Sequence, residues 1–484
     1  MLHIPILRHG KPYTSVETVE ILHHATGEPV AVVSQANSGL ITRDVNRWDH
    51  RVLERFSVAE LIDACHKAAG IFMTASLPLG YDSLAGASGW SSTKQSFEDY
   101  IHQLSATTGM PQALCRNNAD KIRRMFTEME LILAGLTRGF DLSILDRGYG
   151  DDDRRMLSWH REARTFGAVL PSNSPGVHSL WMPAIPLKTP VILKPGREEP
   201  WSPWRIIQSF IAAGLPAEAF GFYPTDHAGA GALLRAVDRA MLFGDTSTTK
   251  PWADDHRVEL HGPGFSKVLL GDDAAKNWEK HVDVITSSIL ANGGRSCINA
   301  SAVWTPSHGR EIVEAVAKIL ATVQALPADH PDAKIAAFAN PKMPELISAS
   351  IDGGLREPGA EDVTQRIRGT PRLVTVGRCA YLLPTLIRCD SWEHPLANRE
   401  FLFPFASVIE CPTSEMLSHI GSTLIGTVIT SNQQFITNCM ACGDIDRLNI
   451  GPIPTWRISW DQPHEGNLFQ HLYRQRAYQF EPAA

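Results

Sequence analysis

The chain has 484 residues, of which 43% are hydrophobic and 20% are charged. This composition is typical of a globular protein and excludes a collagen-like or disordered chain. Lysine and arginine number 45 and aspartate and glutamate number 52, so the net charge is −7. We therefore expect no nucleic acid partner, because proteins that bind nucleic acid carry a basic surface patch.

Two helices are predicted in the first part of the chain. Apolar residues recur at helical spacing after Ser57, and again from about Pro111 to Gly139. Proline suits a first helical turn and glycine suits a helix end. The charged segment from Asp146 to Arg164 that follows is expected to be an exposed loop.

After this segment, short apolar strands alternate with helices. The alternation runs from about residue 165 to Asp254, and a second one begins at Val258. Strands that alternate with helices in this way predict a parallel sheet with covering helices. The first interpretation is therefore an α/β protein with a nucleotide-binding architecture.

The cysteines and the N-terminal residues indicate the compartment. Eight cysteines in a chain of this length do not form the framework of a small disulfide-rich protein. The first residues include a lysine and prolines where a signal peptide needs an apolar segment, and no stretch reaches the ~18 apolar residues of a membrane span. We expect a cytoplasmic protein without a metal site, in which Cys439 and Cys442 pack despite their CxxC spacing.

Two residues in the alternating region suggest covalent catalysis. Cys297 stands in the segment NGGRSCINAS, where glycines allow a close backbone approach. Its thiol is a candidate nucleophile if its pKa is lowered, although cysteine is also one of the most buried residue types. Glu259 follows an apolar residue and precedes a glycine-rich turn, where a cleft can raise the pKa of a general base. A glutamate in such a place is also common on a protein surface.

Two further polar residues lie in apolar surroundings. Asn173 follows an apolar strand and stands between two prolines, where its amide can donate to an oxyanion or form a turn. Glu400 lies among aromatic residues and needs a partner there. None of the four features alone points to one family of proteins, but their order along the chain does.

In this order, the residues resemble the aldehyde dehydrogenase superfamily from about Ala25 to Ser431. Asn173, Glu259 and Cys297 match its oxyanion residue, general base and nucleophile. The other matching positions are Trp181 in the substrate tunnel, Lys194 at the cofactor ribose, Gly244, Asp245 and Thr246 in the phosphate turn, and Glu400 at the nicotinamide. The resemblance implies a Rossmann-type coenzyme-binding domain over residues 1–254, a catalytic α/β domain over residues 255–440, and a C-terminal arm over residues 441–484 that helps to form a homodimer or homotetramer.

Such an enzyme oxidises an aldehyde with NAD or NADP. The resemblance implies that Cys297 forms a thiohemiacetal and then a thioester, and that Glu259 activates the water that releases the acid. Arg197 stands where NAD-preferring members often have a ribose-binding glutamate, and a guanidinium there can pair with a 2′-phosphate, which favours NADP. The same arginine is also compatible with a solvated surface position.

Some residues depart from the family pattern. Asp245 replaces the serine of the phosphate turn, where a carboxylate beside a pyrophosphate is unfavourable, and the short interval from Gly244 to Glu259 predicts a short or irregular helix. The segment from Leu104 to Ile122 is similar to the acyl-CoA reductases of the bioluminescence type, which reduce an acyl-CoA to an aldehyde with NADPH. Glu259 favours aldehyde oxidation over this alternative, because CoA-linked members often lack the base. A third hypothesis is a non-catalytic member of the superfamily, which the retained site residues oppose.

Overall fold

The strands of this protein divide mainly between two large sheets. The computed structural model describes residues 1–83, 90–152, 155–463, 465–479 and 481. Among these residues the strands form two seven-stranded sheets, together with sheets of five, three and two strands. The alternation of strands and helices predicted from residue 165 onward is confirmed.

The first seven-stranded sheet is mostly parallel. Its strands lie in the order Val258–His261, Arg239–Phe243, Phe166–Val169, Val191–Lys194, Phe220–Phe222, Ile6–Arg8 and Lys11–Tyr13. The first five are parallel to one another and the last two are antiparallel additions. The chain order reverses between Phe166–Val169 and Arg239–Phe243. Ligands of open α/β sheets bind at the carboxyl ends of the strands at such a point, so a site is expected there.

The two helices predicted from the sequence lie in the first part of the chain. Ser57 caps the helix Val58–Thr74 by accepting from the Glu60 N–H, while the Glu60 carboxylate accepts from the Ser57 N–H. The second predicted helix is two helices, because Glu128 leaves helical geometry with φ −97° and ψ 15°. These two helices are Gln112–Thr127 and Met129–Thr137. The other α-helices before residue 250 are Ser38–Val45, Phe97–Thr108, Ile144–Arg147, Trp201–Ala212, His227–Ala236 and Thr246–Thr249.

The second seven-stranded sheet is parallel except for one edge strand. Its strands lie in the order Ala360–Asp362, Thr385–Cys389, Phe405–Glu410, Ala302–Thr305, Lys267–Leu270, Thr423–Ile429 and Ile445–Ile450, of which the first is antiparallel. Its helices are Asp272–Ala275, Val282–Leu290, Gly309–Leu320, Lys342–Leu355, Val363–Arg368, Thr413–His419 and Gln433–Ala441. The strands pass from one sheet to the other after His261, a few residues later than the expected division at residue 254.

Three smaller sheets complete the strands. The five-stranded sheet contains Thr18–Leu22, Pro29–Ser34, Leu2–Ile4, Leu77–Ser83 and Trp90–Gln95, and the two-stranded one contains Leu373–Val376 and Cys379–Leu382. The three-stranded sheet contains Tyr473–Gln475, Arg155–Arg161 and Tyr149–Asp152. The loop expected between Asp146 and Arg164 is therefore wrong. Tyr149–Asp152 and Arg155–Arg161 pair with each other as a hairpin, and the C-terminal strand Tyr473–Gln475 pairs with Arg155–Arg161. The local charge pattern does not reveal that distant partner.

The C-terminal tail packs into the core beneath the first sheet. The helix Leu468–Leu472 precedes the last strand. Phe469 is buried, and its ring centroid lies 4.8 Å from that of Trp159 and 5.2 Å from that of Tyr473. This stack fixes the tail against the first sheet, so that the residues just before the helix reach the carboxyl ends of its strands.

Several expected absences can be compared with the part of the chain that the structure describes. No helix there is long and apolar enough to cross a membrane. In the same residues no three histidine, cysteine, aspartate or glutamate side chains come together as a metal site would require. All eight cysteines are free thiols; Cys439 is buried in the core and Cys442 packs against it, as the sequence predicts.

Candidate active site

A hydrogen bond joins the first sheet to the turn that carries Cys297. Asn173 follows the strand Phe166–Val169, and its Nδ2 donates to the Arg295 carbonyl at 2.7 Å. The next residue repeats the connection, since the Ser174 hydroxyl lies 3.3 Å from that of Ser296. The structure thus brings the candidate oxyanion residue to within two residues of the candidate nucleophile.

The turn before Cys297 needs its glycines for packing. Asn292, Gly293 and Gly294 have φ values of +52°, +65° and +68°, in the left-handed region that favours glycine. A Cβ on Gly294 would collide with the backbone of Phe403 and Pro404. The close approach expected from these glycines is real, but it is an approach to the segment that follows Glu400.

The Cys297 thiol lies in a mostly apolar and partly acidic environment. It packs against the neighbouring Ile298 and against Leu424 and Ile425 of the second sheet. Burial raises the pKa of the thiol well above its ordinary value, the charges of Glu465 and Glu400 raise it further, and that of Lys121 lowers it. The sequence analysis required a lowered pKa for a nucleophile, whereas the structure gives the opposite direction. A base must therefore accept the thiol proton before the sulfur can attack.

Glu400 and Cys297 contact the same glycine. The Glu400 carboxylate accepts from the Gly264 N–H at 3.2 Å and from the Phe265 N–H at 2.5 Å. A Cβ on Gly264 would collide with the Cys297 carbonyl, which accepts from the Ser266 hydroxyl at 2.8 Å. Burial raises the pKa of Glu400 to about 7, against the lowering effect of the two N–H donors. Its expected partner is thus the backbone that follows the strand Val258–His261.

Glu259 lies on that strand, with its side chain 17% exposed. Burial raises the pKa of its carboxyl group, which the His261 charge lowers and the Glu465 charge raises. The backbone of Gly466 lies directly against its Oε1, where a Cβ would collide with it. The candidate base is therefore covered by the C-terminal tail.

His261 lies between Glu259 and a carboxylate that the sequence analysis missed. Its Nε2 is 3.6 Å from Glu259 Oε1, and its Nδ1 is 2.8 Å from Glu465 Oε2. Burial disfavours the imidazolium, but the charges of the two glutamates outweigh it, so the pKa of His261 is raised. The Phe243 ring stacks on the imidazole at 4.5 Å and holds it in place. We call Glu259, His261 and Glu465 the carboxylate–histidine cluster.

Glu465 belongs to no family motif that the sequence analysis used. Its charge affects the pKa of Cys297, Glu259, His261 and Glu400, so it lies near all of them. The signal in the sequence was weak: one acidic residue beside Gly466, in a tail otherwise rich in aromatic and apolar residues.

A cavity of about 50 Å³ lies beside Glu259. Met125 and Ile132 line it from the helices Gln112–Thr127 and Met129–Thr137, and Trp460 lines it from the tail. The cavity is thus bordered by apolar side chains on one side and by the candidate base on the other, as suits an organic substrate.

The structure differs from the expectation for Trp181. This residue is fully buried, and its indole N–H donates to His178 Nδ1 at 3.3 Å. At this turn Ser179, Leu180 and Pro183 line the cavity instead. The turn places successive side chains on different sides, so that the tryptophan packs into the core and its neighbour faces the cavity.

At the carboxyl ends of the strands of the first sheet, Lys194 ends the strand Val191–Lys194. Burial lowers the pKa of Lys194, and the charges of Glu198 and Asp226 oppose this effect. Gly196 packs against the loop that leads to Asn173, where a Cβ would collide with Ser172. Arg197 is exposed. Within the described ranges neither cation side chain has a salt bridge or hydrogen bond, so both are free to bind a ligand.

The phosphate turn that the sequence suggested is occupied by its own aspartate. Gly244 leads into the helix Thr246–Thr249, and Asp245 caps this helix by accepting from the Thr248 N–H at 2.8 Å. It also accepts from the Ser247 hydroxyl at 2.7 Å, and these hydrogen bonds lower its pKa. The short helix predicted here is confirmed, and its N-terminal N–H groups bind a carboxylate instead of being left for a phosphate.

Comparison with known proteins decides the family. The model of the aldehyde dehydrogenase family matches residues 92–445. The chain belongs to the aldehyde dehydrogenase family.

Relatives of this aldehyde dehydrogenase family member are distant in sequence. A Staphylococcus haemolyticus protein that is named as an aldehyde dehydrogenase is 21% identical over 420 residues, which cover 82% of this chain and 78% of that protein. The succinate semialdehyde dehydrogenase of Acinetobacter baylyi is 23% identical over 288 residues, which cover 56% of this chain and 57% of that protein.

Solved aldehyde dehydrogenase structures share the fold of this chain over nearly its whole length. The NAD⁺ complex of the Bacillus cereus aldehyde dehydrogenase superposes with a TM-score of 0.77 at 16% identity, covering 98% of this chain and 96% of the other. The NAD⁺ complex of the P. syringae indole-3-acetaldehyde dehydrogenase gives 0.76 at 15% identity, with the same coverage. The fold class predicted from the sequence is confirmed.

In this aldehyde dehydrogenase family member, the residues at the carboxyl ends of the first sheet fit a nicotinamide dinucleotide in part. Lys194, at the carboxyl end of a central strand, is a cation with no partner among the residues that the structure describes, and Arg197 is a second such cation three residues later. The cap made by Asp245 occupies the helix N-terminus that a pyrophosphate would otherwise use. These residues suit the ribose side of such a molecule better than its phosphates.

Proposed function

We propose that this protein oxidises an aldehyde to a carboxylic acid with NAD or NADP, and that Cys297 is the nucleophile. The observation that supports the proposal most directly is the hydrogen bond from Asn173 Nδ2 to the Arg295 carbonyl, because it holds an amide donor two residues from the thiol. An amide nitrogen carries two hydrogens, so one remains for a substrate oxygen. Such a donor stabilises the oxyanion that forms when a thiol attacks a carbonyl.

The first step transfers the thiol proton to a carboxylate. The raised pKa of Cys297 keeps the thiol protonated at neutral pH. Glu465 lies close enough for its charge to act on the thiol, and His261 connects Glu465 to Glu259. We assign the proton to Glu465 of this carboxylate–histidine cluster, which leaves Glu259 ionised for the second half. The sulfur then bonds to the carbonyl carbon, and the carbonyl oxygen takes the negative charge beside Asn173 and the Cys297 N–H.

The second half releases the acid. Bound NAD or NADP supplies the acceptor for the hydride that leaves the thiohemiacetal carbon. Glu259 then takes a proton from water, the water oxygen bonds to the thioester carbon, and the carbon–sulfur bond breaks to return the Cys297 thiolate. The raised pKa of Glu259 supports this role, because a general base works best when its pKa lies near the operating pH.

For the cofactor, we propose that Lys194 binds the ribose hydroxyls and that Arg197 pairs with a 2′-phosphate, which favours NADP. A guanidinium forms two parallel hydrogen bonds with a phosphate, and this one is exposed and has no partner among the described residues. Glu400 lies beside the Cys297 turn through Gly264, where it can orient the nicotinamide. Gly244, Asp245 and Thr246 would lie beside the phosphates, although the Asp245 carboxylate already caps the helix N-terminus there.

A panel of aldehydes with NAD and with NADP, each with and without CoA, tests the proposal. We expect reduced nicotinamide and free acid to form in equal amounts without CoA. Formation of aldehyde from an acyl-CoA and NADPH, with no oxidation of any aldehyde, would replace the proposal by the acyl-CoA reductase alternative. If neither nucleotide raised the melting temperature, the non-catalytic hypothesis would be favoured, since a ligand at 100 times its Kd adds about 2.7 kcal/mol of stability.

A further inference from the structure

Among the described residues, Lys121 is a cation without a carboxylate partner, and its charge acts on the candidate nucleophile. It belongs to the helix Gln112–Thr127, and its Nζ lies over Gly176, 3.3 Å from the position of an added Cβ. Burial lowers its pKa to about 8; the charge of Arg447 lowers it as well, and that of the Cys297 thiolate raises it. In the described part of the chain its side chain makes no salt bridge or hydrogen bond.

Arg447 is a second such cation. It lies on the strand Ile445–Ile450 in register with Ile425, and residues paired in this way point to the same face of a sheet. Ile425 belongs to the apolar cluster against which Cys297 packs. Arg447 is 9% exposed, and its Nη1 is buried with no hydrogen-bond partner in the part of the chain that the structure describes. The carboxylate whose charge acts on it, Asp461, is exposed and forms no salt bridge with it.

Lys121 is half-buried and Arg447 is buried, and like charges that are withdrawn from water without a counter-ion are unfavourable. The charges of Cys297 and Arg447 affect the pKa of Lys121, whereas the charges of Glu465 and Glu400 affect the pKa of the thiol. Neutralisation of the two cations is therefore left to a group that the described residues do not supply. We propose that Lys121 and Arg447 bind the carboxylate of the substrate, which is a short aldehyde that carries an acid group. This inference rests on the proposed aldehyde oxidation.

The geometry suits a carboxylate on a short chain. A guanidinium presents parallel donors that match the two oxygens of a carboxylate, and an ammonium adds a further donor. Lys121 is mostly protonated at neutral pH, because its pKa of about 8 lies above 7. Asn118, on the same helix as Lys121, donates to the Asn292 side chain of the Cys297 turn at 2.7 Å. The Lys121 helix thus lies against this turn, and we expect a short chain between the two functional groups of the substrate.

Comparison of succinate semialdehyde with butanal, a neutral aldehyde of the same length, tests the proposal. We expect the wild type to prefer the semialdehyde in kcat/KM. In Lys121→Met and in Arg447→Met the ratio of kcat/KM for the semialdehyde to that for butanal should fall by roughly 10- to 150-fold, the range for a hydrogen bond to a charged group. Lys121→Arg should keep most of the preference, because it keeps the charge.

Exposed cations serve as matched controls. Arg457→Met and Lys318→Met remove the same charges at exposed positions, and the ratio should not change. Succinate should also inhibit the wild type competitively against the semialdehyde, a measurement that needs no variant to fold. An unchanged ratio in both buried variants, or equal kcat/KM for both aldehydes in the wild type, would overturn the carboxylate site and leave aldehyde oxidation intact. A preference for a phosphorylated aldehyde would also overturn it, whereas failure to oxidise any aldehyde would refute the proposed function itself.

Discussion

His261 Nδ1 lies 2.8 Å from Glu465 Oε2, which ties the last parallel strand of the first sheet to the C-terminal tail. The other imidazole nitrogen faces Glu259. A histidine between two carboxylates favours its protonated form, and its charge in turn favours the ionised form of the candidate base. The ability of Glu259 to accept a proton therefore depends on His261 and, through it, on Glu465, a residue that sequence motifs do not link to the base.

Removal of the imidazole should shift the pH dependence. Burial raises the pKa of Glu259 and the His261 charge lowers it, so His261→Asn should raise this pKa further. Because Glu259 acts in its ionised form, the acid limb of the kcat profile should move to higher pH, by about one unit for a charge at this distance. His256→Asn, at an exposed histidine, is the control. A limb that stayed in place, or moved to lower pH, would show that His261 does not tune the base.

Loss of the nucleophile should separate chemistry from binding. Cys297→Ala should abolish acid formation, because no sulfur remains to form the thioester. The nucleotide should still raise the melting temperature, since none of the residues proposed to hold it is changed. Cys442→Ala, at a half-buried thiol outside the site, should keep full activity. Measurable turnover by Cys297→Ala would contradict the assignment of this thiol.

Loss of the base should slow the second half alone. Glu259→Gln should lower steady-state turnover by about 100- to 10,000-fold, the range for general base catalysis, because water attack on the thioester loses its proton acceptor. Rapid mixing should still show a first-turnover burst of reduced nicotinamide, since hydride transfer precedes this step. If the burst were also lost, Glu259 would be needed for the attack of Cys297, and its role as the hydrolytic base alone would be wrong.

The cofactor proposal predicts a change of nucleotide preference. Arg197→Ala should lower the ratio of kcat/KM with NADP to that with NAD by roughly tenfold, about the value of one charge-assisted hydrogen bond. Initial rates with both nucleotides measure this ratio. An equal loss with NAD and NADP would show that Arg197 does not contact the group that distinguishes them.

The glycine turn before the thiol should be sensitive to a single methyl group. Gly294→Ala should lower the free energy of unfolding by about 2–5 kcal/mol. About 1–2 kcal/mol of this loss arises from the left-handed backbone and the rest from overlap with Phe403 and Pro404. Gly377→Ala is the matched control, because Gly377 has φ +61° and open space at the Cβ position, so it should cost only the backbone part. Urea unfolding of the two variants measures the difference. Equal losses of unfolding free energy in the two variants would show that overlap with Phe403 and Pro404 does not restrict this turn.

Local patterns in the sequence predicted the elements that have a local cause. Ser57 and Glu60 form their capping box within one helical turn, and the alternation of strands and helices reports burial on both faces of a parallel sheet. The break at Glu128 was not predicted, because the apolar periodicity continues across it. The hairpin at Tyr149–Asp152 and Arg155–Arg161 was missed because its third strand lies more than 300 residues away in the chain.

The candidate site divides in the same way. Asn173 and the Cys297 turn stand in recognisable motifs, and the structure joins them by a hydrogen bond. Glu465 and Lys121 stand in none, because their positions depend on how the tail and an early helix pack around the thiol. The resemblance predicted Trp181 as a tunnel residue, but it is buried, and Leu180 beside it lines the cavity, a difference in side-chain direction that the motif does not reveal.

The edge-to-face contact of Phe469 with Trp159 and its stacking on Tyr473 couple two properties of the molecule. The aromatic cluster that these rings form anchors the segment that brings Glu465 to His261 and Gly466 to Glu259. Local opening of this cluster would withdraw Glu465 from the imidazole. The packing of the tail and the ionisation of the candidate base are therefore linked.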